Sequence, residues 1–139
     1  MALSTYERVG KAMEALKVGL APFVSREFIN HYKSQVRQEL ERITEVASGE
    51  KTLFGQIDVA ALLKGMWDSW NKVCRETLGL AERSLMSEMR DVRNRWAHQE
   101  TFSSDDTYRA LDSSHRLLTS LSSPQANDID KMKMLLFIS

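Results

Sequence analysis

Residues 80–99 read LAERSLMSEMRDVRNRWAHQ, and this stretch decides the fold. It holds neither Gly nor Pro, and its Leu85, Met89, Val92 and Trp96 are spaced 4, 3 and 4 residues apart. That is the period of one helical face, not the alternation of a strand. At about 100° per residue these four side chains fall within a narrow arc, which is the core side. Arg83, Arg90, Asn94 and Ala97 fall nearly opposite, with Arg93 and His98 at the two edges. The stretch therefore predicts an amphipathic helix from about Leu80 to His98 whose polar face points away from its own core.

The same reading extends in both directions. Upstream, Asp58 is a natural N-cap for a helix that buries Leu62, Leu63, Met66, Trp67, Trp70 and Val73, with Gly79 at or near its C-cap. Residues 48–57, with Gly49 and Gly55, read as a loop. At the N-terminus Ser4 and Glu7 form a capping box, followed by Val9, Ala12, Met13 and Leu16 on one side. Gly19 and Pro22 are expected to interrupt that helix. Pro22 would then open a second one carrying Phe23, Phe28, Ile29, Tyr32, Val36, Leu40 and Ile43, which ends at Ser48 and Gly49. Downstream, Ser103 with Asp106 caps a helix bearing Tyr108, Leu111, His115, Leu118 and Leu121. Ser122, Ser123 and Pro124 break the chain, and NDIDKMKMLLFIS (127–139) resembles the start of a further helix. Its uncapped apolar ending is expected of a segment cut from a longer protein.

The expected fold is all-α, a single-domain bundle of four to five helices over residues 1–122. Residues 123–139 are a further helix or linker, and Trp67, Trp70 and Trp96 lie in or beside the core. The chain has 139 residues, enough for one core, and its single Cys rules out an internal disulfide. No apolar run approaches the roughly 18 residues of a membrane span, and the first residues are too charged for a signal peptide core. A reduced, cytoplasmic protein with no membrane association is expected.

With 19 basic and 19 acidic residues the net charge is zero, so any phosphate-binding surface has to be local. The three histidines (His31, His98 and His115) and Cys74 stand at no metal-ligand spacing, so no metal and no cofactor is expected. Phosphate-binding glycine loops and the esterase nucleophile elbow are absent. Cys74, on the Trp67 to Val73 helix, reads as a small buried hydrophobe.

One constellation remains, Arg93-Asn94-Arg95-Trp96-Ala97-His98. It reads either as a solvated helix face or as a chemical site. In the second reading Arg83, Arg90 and Arg93 form a cationic strip for phosphate, Asn94 adds hydrogen-bond donors, and His98 titrates near neutrality. Small Ala97 leaves room for a second backbone. Residues five apart on a regular helix are about 140° apart, so Arg93 and His98 can address one phosphate only if the helix ends before His98 or a second copy completes the site.

Arg93-x-x-x-x-His98, late in a helix of a small all-helical domain, resembles the Arg-x(4 to 6)-His motif of the HEPN superfamily. The longer blocks ALKVGLAPFVSREF (15–28), DVAALLKGMWDSWNKVC (58–74) and LGLAERSLMSEMRDVRNRWAHQETFSSDDTYRALDSSHRLL (78–118) resemble its Swt1-like branch. The resemblance covers roughly residues 7–121. It implies a helical bundle that pairs as a homodimer, with the two motifs converging on a cleft that cuts RNA without metal. Carried onto this chain, Arg93 would bind the scissile phosphate, His98 would transfer protons and Asn94 would orient, while Arg83, Arg90 and Arg95 would bind RNA. The branch also implies a terminal module of larger proteins, including ATPases of phage defence. The alternative it leaves open is a non-catalytic dimerisation or partner-binding module. A nucleotide-binding HEPN paired with a nucleotidyltransferase is a third.

Overall fold

The computed structural model describes residues 3–32 and 58–138. Among these residues there are helices and turns and no strand.

Helix α1 spans Thr5–Tyr32. Its start is the expected capping box: the Glu7 amide donates to Ser4 Oγ at 3.1 Å, and the Ser4 amide donates to Glu7 Oε1 at 3.0 Å. The expected interruption does not occur, because α1 runs straight through Gly19 and Pro22. An interior proline costs about 3 kcal/mol. Leu16, Leu20, Phe23 and Val24 form one buried stripe on both sides of it. At about 1.5–3 kcal/mol each, these side chains outweigh the proline. Val18, whose carbonyl loses its partner to the proline ring, is itself exposed and open to water. Gly19 is needed for a close crossing: a Cβ there would stand 2.5 Å from Leu118 Cδ2 and 2.8 Å from Ser123 Oγ. The remainder of the second helix expected after Tyr32, and the 48–57 loop, lie outside the described residues.

Helix α2 spans Val59–Asp68, capped by Asp58, whose side chain accepts from the Ala60 amide at 3.2 Å. The expected continuous helix to Gly79 divides here. A π-helical turn, Trp70–Cys74, follows α2, with the Arg75 amide bonded to the Trp70 carbonyl at 2.8 Å. The wider turn brings Trp70, Val73 and Cys74 together into the core. Gly79 consequently caps the start of the next helix and not the end of this one, its amide donating to Glu82 Oε1 at 2.8 Å.

Helix α3 is Leu80–Ala97 and helix α4 is Ser104–Ser120. α3 packs between α2 and α4, so its buried residues are Met86, Met89 and Val92, while Leu85 and Trp96 are only half-buried. α4 touches α1, α3 and the last helix and so needs more than one buried stripe. Small Ala110, Ser113 and Ser114 are buried beside Leu111, Leu117 and Leu118, while Tyr108, His115 and Leu121 are half-buried. The Ser103 cap holds as expected, accepting from the Asp106 amide at 3.0 Å.

Helix α5, Gln125–Ile138, follows the turn at Ser122, whose φ is 57°. It packs on α4 and α1 through Ala126 and Ile129, and Lys133 reaches Asp112 of α4 at 2.9 Å. Met134, Leu135, Phe137 and Ile138 are exposed at its end. Among the described residues no helix is long and apolar enough to cross a membrane.

Candidate functional site

Two outward stripes lie side by side. On α3 the stripe is Arg83, Ser87, Arg90 and Asn94, spaced 4, 3 and 4; on α2 it is Ala60, Lys64 and Trp67, spaced 4 and 3. Both spacings keep residues on one helical face. The helices run antiparallel, so Ala60 and Lys64 share a cleft of about 140 Å³ with Arg90, Arg93 and Asn94. At the other end Trp67 shares an open groove of about 430 Å³ with Leu80, Arg83, Ser84 and Ser87.

Trp67 joins the two. The Arg83 guanidinium stands 4.5 Å from the Trp67 ring centre and 5.9 Å from that of Trp70, and the Arg90 guanidinium stands 5.8 Å from Trp67. A cation over an indole face is favourable and holds the guanidinium in place without using its hydrogen-bond donors. Among the described residues neither Arg83 nor Arg90 pairs with a carboxylate. Lys64 and Arg93 do. Lys64 Nζ lies 2.9 Å from Asp68 Oδ2, and Arg93 Nη2 donates to Asp58 Oδ2 at 2.9 Å. Asp58 thus caps α2 and tethers Arg93 with the same oxygen. Among the described residues, two of the four cations along the two stripes, Arg83 and Arg90, therefore have no carboxylate partner.

His98 is placed by the end of α3. The helix stops at Ala97, His98 is its C-cap with φ −88° and ψ 8°, and Gln99 turns left-handed at φ 59°. The His98 amide still donates to the Asn94 carbonyl at 3.0 Å, so the end of the helix at Ala97 does not by itself turn the His98 side chain toward Arg93. His98 is exposed, as are Asn94 and Ala97, and it does not line the cleft that holds Arg93. The same helix end is anchored through Trp96. Its ring stacks on Tyr6 with centres 5.4 Å apart and planes 13° apart. The Tyr6 hydroxyl donates to the Trp96 carbonyl at 2.9 Å, and the indole N–H donates to the Tyr6 carbonyl at 3.3 Å. The Trp96 carbonyl thus accepts from the Tyr6 hydroxyl as well as from the Gln99 amide at 3.0 Å. Gly10 lets the ring approach, since a Cβ there would meet it at 3.2 Å.

Arg95 points elsewhere. It contacts Glu100 at 3.4 Å, Asp106 at 3.3 Å and the Thr101 carbonyl at 3.3 Å, and lies 4.7 Å over the Phe102 ring. These contacts tie α3 to the start of α4 and keep Arg95 apart from Arg83, Arg90 and Arg93. Sequence reasoning missed Asp58, Lys64 and Trp67 as members of the site. The signal was the Ala60, Lys64, Trp67 stripe, which is interpretable only once α2 is paired with α3.

Cys74 is buried, and desolvation, with Glu27 nearby, pushes its thiol from 9.0 up to about 12. It is no nucleophile at neutral pH. The described residues gather no group of three or more His, Cys, Asp or Glu at a metal-binding spacing.

Comparison with known proteins agrees with the helical architecture. The Swt1-like HEPN family model matches residues 11–122. No curated protein and no solved structure matches the chain. A match over most of the chain, all-helical among its described residues, establishes that it belongs to the Swt1-like HEPN family.

Proposed function

We propose that this chain is a metal-independent endoribonuclease module that acts as a homodimer, with Arg93, Asn94 and His98 as its catalytic residues. The observation that carries the reading is the cleft where Lys64, Arg90, Arg93 and Asn94 converge at one end of α3, one turn before the exposed His98. Guanidinium and ammonium groups bind a phosphate through charge-assisted hydrogen bonds. Arg93 is not withdrawn by Asp58: its partner carboxylate is more than half exposed, and such a pair is worth about 0.2–1 kcal/mol.

The chemistry follows from these groups. His98 takes the proton of a ribose 2′-hydroxyl, the 2′-oxygen attacks the adjacent phosphorus, and the bond from phosphorus to the 5′-oxygen breaks. The leaving 5′-oxygen collects a proton from a second acid, the protonated His98 of the other protomer. Arg93 stabilises the charge that grows on the phosphoryl oxygens, and Asn94 orients them. The products are a 2′,3′-cyclic phosphate and a 5′-hydroxyl. A two-fold axis beside exposed Ala97 would bring the His98 side chains of both protomers, with both Arg93 side chains, to one composite cleft.

The Arg93 to Asp58 tether favours a second reading, in which Arg93 fixes α2 on α3 and the face is a dimerisation or partner surface of a larger protein. Incubation of the protein with single-stranded RNA in EDTA, followed by end-group analysis, separates the two. Cyclic phosphate ends are expected; intact RNA would support the interaction module.

A further inference from the structure

The groove at the other end of the α2 and α3 stripes is built differently from the phosphate cleft. It combines an aromatic face, Trp67, with the guanidinium of Arg83 stacked on it, the exposed aliphatic Leu80, and the hydroxyls of Ser84 and Ser87. Its volume of about 430 Å³ is roughly three times that of the cleft at Arg93. Arg83 is held by its stacking contacts, and its Nε has no hydrogen-bond partner among the described residues. A guanidinium held over an indole, both lining an open groove, offers a surface on which a flat π system packs, and unpaired bases stack on aromatic rings and arginine planes alike. From Arg83 to Arg90 is two turns of α3, about 10 Å. One single strand can therefore lay a phosphate between Lys64, Arg90 and Arg93 while a neighbouring base reaches Trp67.

We infer that the Trp67, Arg83 groove is a nucleobase-stacking subsite that holds an unpaired base of single-stranded RNA beside the phosphate cleft. This rests on the RNA reading above and adds to it where the bases go. Ser84 and Ser87 offer hydroxyls to a base edge, but stacking dominates, so the subsite takes any base and favours unpaired over paired RNA.

The test uses the full chain and two ligands of equal length, a short single-stranded RNA and the same ribose-phosphate backbone without bases. The RNA is expected to bind about 5- to 100-fold more tightly than the bare backbone. W67L should erase that difference, whereas W67F should keep most of it. A 2-aminopurine placed in the RNA reports stacking in the wild-type protein, so the test survives if W67L fails to fold; its fluorescence should be quenched on binding. Equal affinity for RNA and backbone with no quenching overturns the subsite and leaves the phosphate cleft standing. Binding of neither ligand overturns both and assigns the face to a protein partner.

Discussion

Tyr6 and Trp96 hold each other by two reciprocal hydrogen bonds, hydroxyl to carbonyl at 2.9 Å and indole N–H to carbonyl at 3.3 Å, across stacked rings. They join the start of the chain to the end of α3, two residues before His98. Y6F removes the hydroxyl, leaves the Trp96 carbonyl with the Gln99 amide as its donor and keeps the ring stack. It should cost about 1 kcal/mol and lower Tm by a few degrees, with faster amide exchange at residues 97–100. Unchanged exchange there would mean that the pair does not position the helix end.

Gly19 lies where α1 passes against the end of α4 and the turn that leads to α5. G19A should destabilise by about 1–3 kcal/mol, because the added methyl meets Leu118, which is fully buried and has no room to retreat. Chemical denaturation checks this against G79A, whose Cβ would meet only the Glu82 side chain at 3.1 Å.

How much of this was legible in the sequence depends on whether the deciding contact is local. The capping residues Ser4, Asp58 and Ser103 were legible, because a cap is satisfied within three residues of itself. The break at Pro22 was misjudged, because what keeps α1 continuous is burial of Leu16, Leu20, Phe23 and Val24 against other helices. The π turn at Trp70 is equally a product of packing. At the site, Arg93, Asn94 and His98 came from a motif and a resemblance. Arg95 looked equivalent to Arg90 along the chain, and only its pairing with Asp106 and Glu100 separates them.

That separation is measurable. R95A should lower stability while leaving RNA affinity nearly unchanged, since it loses the ties between α3 and the start of α4. R90A should do the reverse and also flatten the salt dependence of RNA binding, because Arg90 has no carboxylate partner to lose among the described residues. Equal effects of both variants on affinity would place Arg95 on the RNA-binding surface after all.

Cys74 gives a pH prediction with a definite sign. Its folded thiol titrates near 12 and its unfolded thiol near 9.0, so above pH 9 the unfolded state holds fewer protons than the folded one. The stability contributed by the neutral buried thiol is fully present below pH 9 and is lost as pH rises toward 12, by up to about 1.4 kcal/mol per pH unit. C74A should lack this part of the decline. In native protein near pH 7 the thiol should resist maleimide labelling until denaturant is added.

The most direct measurement of the central claim compares wild type with H98A for two quantities, RNA affinity and cleavage rate in EDTA. His98 is exposed and at the end of a helix, so stability should change by no more than about 0.5 kcal/mol, and lost activity cannot be ascribed to unfolding. The account predicts affinity close to wild type with a cleavage rate at least about 100-fold lower, since proton transfer acts only in the transition state. Cleavage by H98A at the wild-type rate would contradict it.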